Sequence, residues 1–275
     1  MKSLKDTAKI LFTTNRLFPV NARRRRELFN EAEAKGMDSI PLFIINYNRL
    51  DCLKVLIDRL EEMGTTNINI IDNNSTYEPL LEYYDTLPYR IFRLDRNWGY
   101  KVFWECPIFE EYRKSFYILT DSDVVPVDAC PRDYKYRLFT LLKKYPRLSR
   151  AGLSLKIDDL PKGGMFTEEV LGWEKQFFRL RMPGENAYLA NIDTTFAMYA
   201  PSNIVTRTRS YSSVRTGYPM EAKHLPWYKM KGEVTEEDKY YSAHKTNGWW
   251  DANAGTATPD TEWQKEDFLK TIGKK

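Results

Sequence analysis

From Ile40 to Val127 the chain alternates short apolar runs with stretches of helical periodicity, a rhythm that few folds accept. Pro41-Leu42-Phe43-Ile44-Ile45-Asn46-Tyr47 is a continuous apolar run of buried-strand length. Leu50, Leu53, Val55, Leu56, Ile57 and Leu60 then recur at helical spacing, and Gly64 stops that helix. Residues 69–72 read as a second strand, 79–84 as a short helix and 89–94 as a third strand. Residues 98–112 are helical in part, and 116–120 form a fourth strand. Strands and helices in alternation predict an α/β domain built on a doubly wound sheet.

Beyond Pro126 the rhythm loosens. The pattern predicts a helix over 134–145, a strand over 151–155 and, after the Gly163-Gly164 loop, a helical stretch over 166–178. Residues 187–193 lead into the apolar segment 196–199, and loops rich in Arg, Tyr, Ser and Trp follow Pro201. With no internal repeat or low-complexity linker, 38–275 reads as one domain with halves over 38–127 and 128–275. Ahead of it, 1–37 reads as a leader whose basic run, Arg23 to Arg26, opens a helix ended by Gly36. That helix is either a solvated face or, with Phe12, Leu17 and Phe18 nearby, a contact for anionic lipid.

Cys52, Cys106 and Cys130 form no CxxC pair and stand near no pair of histidines, which speaks against a zinc site or a disulfide framework. No run approaches the roughly 20 apolar residues that span a bilayer, and the first residues lack the apolar core of a secretory signal. A cytoplasmic protein is expected, at most peripheral to a membrane. The net charge of +4 suits an anionic ligand but is too small to argue for nucleic acid, which leaves only Arg23 to Arg26 and the Arg207, Arg209 and Arg215 region for such a role. Aromatic residues at 14% suit clefts that stack sugars or bases, and they also fill cores.

The fourth strand ends in Asp121-Ser122-Asp123. Where a strand breaks into a turn, carboxylates at i and i+2 can converge on one cation. Mg²⁺ or Mn²⁺ commonly bridges such carboxylates to substrate phosphates. An isolated Asp-x-Asp is equally a solvated acidic turn, but three other polar turns close the strands before this one. Asn46-Tyr47-Asn48-Arg49 follows the first strand, as a ligand-contacting turn or a plain polar loop. Asp72 ends the second, where a carboxylate can accept from a base N–H or from ribose hydroxyls; an Asn-rich turn also explains that segment. Arg96-Asn97-Trp98-Gly99 follows the third, with Gly99 permitting close backbone approach and Arg96 or Lys101 able to offset phosphate charge.

In this order the four elements resemble the family-2-like glycosyltransferases of the GT-A fold, closely over 40–127 and loosely beyond. The resemblance implies a GT-A-like, Rossmann-like α/β domain: a mostly parallel central sheet flanked by helices, with a C-terminal acceptor-side cap. It implies a metal-dependent, inverting transferase that moves a sugar from a UDP-, GDP- or dTDP-linked donor to a hydroxyl of a glycan or lipid-linked glycan. Asn46, Tyr47, Asn48, Arg49, Asp72, Asn97, Gly99, Lys101, Asp121 and Ser122 would then line the donor, with Asp72 at the base. Asp121 and Asp123 would serve Mn²⁺ or Mg²⁺, and His224 would complete the metal shell. Asp193 would take the acceptor proton, with Glu221 as the alternative base.

Each of these has a plainer reading. Asp193 can cap a helix before 195–198, and His224, beside Pro226, can be structural. His244 suits an acceptor or diphosphate loop, and Trp249 with Trp250 a sugar-stacking platform or simple packing. Haloacid-dehalogenase-like phosphatases also place an apolar strand before Asp-x-Asp-x-Val, which would make Asp121 a nucleophile with Lys156 and Asp158-Asp159 downstream. There the motif opens the first strand, whereas here three strand-helix units precede it. A non-catalytic nucleotide- or glycan-binding module is the remaining alternative.

Overall fold

The computed structural model describes residues 22–201, 213–245, 250–251 and 256–257. Helix α1 (Ala22–Lys35) precedes a strand-helix series made of β1 (Leu42–Asn46), α2 (Asp51–Glu62), β2 (Ile68–Asp72), α3 (Glu78–Tyr84) and β3 (Arg90–Arg93). Two short helices, α4 (Val102–Glu105) and α5 (Ile108–Tyr112), lead to β4 (Tyr117–Asp121). The four strands lie parallel in the order β3-β2-β1-β4. Because successive strand residues point to opposite faces, Leu42 and Ile44 join one apolar layer with Ile70 and Ile118. Phe43 and Ile45 join the other, with Ile71, Tyr117 and Leu119.

Helix α2 covers the first layer with Leu53, Leu56, Ile57 and Leu60, each worth roughly 1.5–3 kcal/mol on burial. It ends where Gly64 takes φ +78°, so that the Thr65 N–H reaches the Leu60 carbonyl at 2.9 Å and the Gly64 N–H reaches Glu61 at 2.8 Å. Phe103 of α4 and Phe109 of α5 cover the second layer. Pro107 breaks the segment between them.

The second half contains β5 (Val124–Pro126), α6 (Tyr134–Lys144), β6 (Arg150–Gly152), β7 (Ser154–Leu155), α7 (Thr167–Glu174), β8 (Ala187–Leu189) and β9 (Ala197–Tyr199). It closes with β10 (Ser213–Thr216), β11 (Glu221–His224), α8 (Glu236–His244) and a small pair, β12 (Trp250–Asp251) and β13 (Thr256–Ala257). Here the expectation of a mostly parallel sheet is corrected. The eight-stranded order is β3-β2-β1-β4-β9-β6-β10-β8; β9 runs antiparallel to β4 and β6, and β8 antiparallel to β10. The sheet is therefore mixed, although β10 runs parallel to β6. A parallel neighbour needs a crossover that returns the chain to the same end. The excursion through α7 and β8 instead delivers it to the opposite end, and β9 enters against its neighbours.

The strand expected over 151–155 also divides. Leu153 separates β6, in the large sheet, from β7, which joins a second sheet of order β5-β11-β7. Helix α1 rests on the first layer through Phe29, whose ring lies 4.8 Å from Phe116 and 4.9 Å from Phe139. Arg23 and Arg24 pair with Glu27, Arg24 also with Glu31, and Arg25 donates to the Leu142 carbonyl at 2.6 Å. Three of the four arginines of the run thus have partners within the protein, Arg23 and Arg24 on the solvated face of the helix, and Phe12, Leu17 and Phe18 lie outside the described residues. Among the described residues no helix is long and apolar enough to cross a membrane.

Gly152 shows how tightly β6 and β9 approach. A Cβ there would stand 2.6 Å from the Phe196 carbonyl oxygen and 2.7 Å from the Ala197 Cβ. Gly152→Ala is expected to destabilise the fold by about 1–3 kcal/mol, read as a lower urea midpoint.

Candidate functional site at the carboxyl ends of the strands

Register aligns the ends of three strands. Asn46 pairs with Asp72, and Ile45 with Asp121, so the last residues of β1, β2 and β4 share one edge. In open α/β sheets this edge is where ligands bind. The loops above it are tied to one another by asparagine side chains. Asn48, at φ +50°, accepts through Oδ1 from the backbone N–H of Thr76 (2.8 Å) and Tyr77 (3.0 Å), joining the first loop to the second. Asn73 donates to Asn97 Oδ1 (2.9 Å) and to the Gly99 carbonyl, and accepts from the Trp98 N–H, joining the second loop to the third. Gly99 takes φ +72°, which its lack of a Cβ permits.

Asp72 is fully buried and accepts from the Ser75 N–H (3.3 Å) and the Tyr84 hydroxyl (3.2 Å), with Arg93 at 3.6 Å. Burial raises its carboxyl above the ordinary value, and these hydrogen bonds oppose the rise. Asn46 donates to the same Tyr84 oxygen at 2.8 Å. Asn46 Oδ1 and Asn48 Nδ2 are buried with no hydrogen-bond partner within the protein, so each is open to a ligand or an ordered water.

The centre of the edge is assembled by the smaller sheet. Antiparallel pairing of β11 with β5 sets His224 opposite Val124, and the Leu225 N–H donates to the Asp123 carbonyl at 2.9 Å. His224 Nε2 then stands 3.5 Å from Asp123 Oδ2. Burial holds the imidazole below its ordinary pKa, and the nearby Arg49 adds to this while Asp123 opposes it. A neutral imidazole keeps a lone pair for a cation. Asp123 Oδ1 and His224 Nδ1 are both buried without a partner. The facing Asp123 Oδ2 and His224 Nε2 offer one carboxylate oxygen and one imidazole nitrogen to a divalent ion, whose remaining ligands would come from phosphate and water. Among the described residues no three His, Cys, Asp or Glu side chains are gathered as a ready-made metal group.

Asp121 instead accepts a 2.5 Å hydrogen bond from Thr194 Oγ1. Burial, then the Asp123 charge, pushes its carboxyl well above the ordinary range. Thr194 brings Asp193 to the same edge, where its side chain is exposed and the Tyr199 hydroxyl donates to its carbonyl at 3.2 Å. The protein packed around Asp193 raises its carboxyl, against the charges of Arg150, Arg215 and Lys101. The structure thus brings Asp121, Asp123, His224, Asp193 and Lys101 to one end of the sheet. It separates Glu221 from them: three residues before His224 on the same strand, it projects to the other face. There it accepts from Ser154 Oγ at 3.4 Å, near Lys156. Lys156 itself is bonded to Asp158.

Helix α8 escaped sequence reasoning, although Thr235-Glu236-Glu237-Asp238 is a capping box. Its first turn holds the first loop from 187 residues away: Glu237 Oε2 accepts from the N–H groups of Leu50 (2.6 Å) and Asp51 (2.9 Å), capping α2. Arg49, buried, donates to Asp238 Oδ1 at 2.8 Å and lies 3.8 Å over the Tyr241 ring. The Tyr47 hydroxyl donates to the His244 carbonyl at 2.8 Å, and His244 stacks on Tyr240. Tyr47, Arg49 and His244 are therefore parts of a clamp between the first loop and α8. Trp249 lies outside the described residues, and Trp250 is described only as backbone of β12. Ser122 donates its backbone N–H to the Ile45 carbonyl at 3.0 Å.

No protein-family model matches the chain, and no curated protein matches it. What the site can do is read from its own geometry.

The clamp has a pH signature. Burial would raise the Asp238 carboxyl, but hydrogen bonds from Lys229, Thr235 and Arg49 outweigh it and hold the group at about 2. A folded-state value below the unfolded one means stability that is present in full above pH ~4 and lost as pH falls through about 2. Asp238→Asn is expected to cost roughly 2 kcal/mol at pH 7, by the conversion of pKa shift to free energy. The gap between variant and wild type in urea melts should narrow as the pH is lowered from 5 towards 3.

Proposed function

We propose that this protein is a metal-dependent, inverting glycosyltransferase with a GT-A-like fold. It would move a sugar from a nucleotide-diphosphate donor to a hydroxyl of a glycan or lipid-linked glycan. The observation that carries the reading is the pair formed by Asp123 and His224, two half-buried side chains whose facing atoms lie 3.5 Å apart and which each keep a buried polar atom without a partner. They sit at the carboxyl edge of the sheet and are linked through the Asp121–Thr194 hydrogen bond to an exposed carboxylate, Asp193.

Asp123 and His224 are the residues that would hold Mn²⁺ or Mg²⁺, which when bound neutralises the charge of a diphosphate leaving group. Asp72, at the end of β2, is suited to the nucleoside, and Asp121, beside the cation pair, to ribose or sugar hydroxyls. Lys101 adds a positive charge on the same side. Asp193 accepts the proton of the acceptor hydroxyl as its oxygen forms a bond to the anomeric carbon. The bond from that carbon to the diphosphate breaks, and its electron pair leaves with the phosphate. A base whose carboxyl is raised above the ordinary range accepts that proton more readily near neutral pH. The aligned edge holds donor and base in one frame, which is the larger part of such catalysis.

Release of nucleoside diphosphate from a panel of nucleotide-sugars, with Mn²⁺ or Mg²⁺ and a hydroxyl acceptor, tests the assignment. Asp123→Ala is expected to abolish both turnover and metal-dependent donor binding. Asp193→Asn should keep donor binding while turnover falls about a hundred- to ten-thousand-fold. Undiminished turnover by Asp123→Ala would sink the proposal, and the Asp193 behaviour appearing in Glu221→Gln instead would reassign the base.

A further inference from the structure

Arg150 is a long cationic side chain on the short strand β6, and it is only 1% exposed. A guanidinium does not lose its charge at any ordinary pH, so burying one demands a compensating negative charge. Among the described residues no carboxylate stands within ion-pair distance of it. Its bonded contact is neutral: one terminal nitrogen donates to Asn191 Oδ1 at 2.9 Å, while Nε is buried without a partner. The Tyr199 ring lies 5.6 Å from the guanidinium carbon. Both neighbours lead to the same place. Asn191 is two residues before Asp193, and the Tyr199 hydroxyl donates to the Asp193 carbonyl.

The charges around Asp193 come from several elements. Arg150 approaches from β6, Arg215 from β10, Lys101 from the start of α4, Asp121 from the end of β4, and the Tyr199 phenol from β9. Arg215 already has its own counter-ion, since it donates to the buried Glu174 at 2.7 Å. Its Nε donates to the Asn191 carbonyl at 2.8 Å, so the two arginines hold Asn191 from both sides. Asp121 is repulsive. That leaves Arg150 as the buried cation without a counter-ion in contact, and it acts on the Asp193 carboxylate more strongly than Arg215 or Lys101 does.

We infer that Arg150 is a positioning residue for Asp193: a buried cation whose counter-charge is the Asp193 carboxylate, reached across Asn191 and Tyr199 rather than by contact. It fixes the 191–193 segment through Asn191 and favours the ionised form of the Asp193 carboxylate. The catalytic part of this inference rests on Asp193 being the base of the proposed transferase; the electrostatic part does not.

Urea melts of Asp193→Asn, Arg150→Gln and the double variant at pH 7.5 test the electrostatic part. The single variants mix this attraction with the burial of each group, so the reading is the coupling in the cycle: the double variant should lose less than the two singles together, because Asp193→Asn removes the attraction only where Arg150 is present. Additive changes in the midpoint overturn the inference, and Arg150→Met takes the place of Arg150→Gln in the cycle if the latter does not fold. The acidic limb of the kcat/KM profile then tests the catalytic part. It should move about one unit to higher pH in Arg150→Gln, a roughly tenfold loss below the limb, and return in Arg150→Lys. A uniform loss with an unmoved limb would make Arg150 merely structural. If no nucleotide-sugar is turned over, the transferase reading fails while the midpoint test still stands.

Discussion

The site depends on one antiparallel pairing, that of β11 with β5. Strand β5 directly follows the Asp121-Ser122-Asp123 turn, so whatever pairs with it is delivered to those carboxylates. Because β11 places His224 opposite Val124, the imidazole reaches Asp123 from far along the chain. Without that ribbon the acidic turn would be a solvent-facing feature of β4. With it, Asp123 and His224 are half-buried together, each with a buried polar atom left unused. Buried polar atoms without partners are costly, and a ligand that completes them recovers the loss.

Around that centre the protein uses polar side chains chiefly to hold loops. Asn48 and Asn73 stitch three successive loops together, and Glu237 and Asp238 fasten the first of them to α8. Arg49 and Tyr47 belong to this fastening. Fixed loops matter for the proposed chemistry, since a leaving group and a base must be presented to one carbon from opposite sides. The Thr194–Asp121 hydrogen bond makes the same link between the two halves of the chain. Arg150, through its hydrogen bond to Asn191, extends it into the sheet.

Much of the first half was legible in the sequence. Runs such as Leu42 to Asn46 alternate between two buried layers, and Leu53, Leu56, Ile57 and Leu60 trace one helix face, so periodicity alone placed β1, α2, β2 and β4. The second half resisted for physical reasons. Strands of three residues, such as β6 and β9, carry no readable period, and strand direction is set by the path of the chain between them. Leu153 belongs to an apolar run that looks continuous, yet it is the point where the chain changes sheets. Helix α8 has no apolar stripe to reveal it; it is held by two buried carboxylates whose partners lie in the first loop. Among the site residues, Asp121, Asp123, His224 and Asp193 stand at one end of the sheet, while Glu221 lies on the far face of β11. Arg150 and Arg215 had no local signature, since their roles arise only from what packs beside them.

The central claim is that Asp123 and His224 bind a cation that in turn holds a nucleoside diphosphate. Calorimetric titration of UDP and GDP into the wild type and into His224→Ala, each with Mn²⁺ or with a chelator, tests it most directly. Binding to the wild type that requires the metal and is lost in His224→Ala is the predicted result. Nucleotide binding that is indifferent both to the chelator and to His224 would contradict the account.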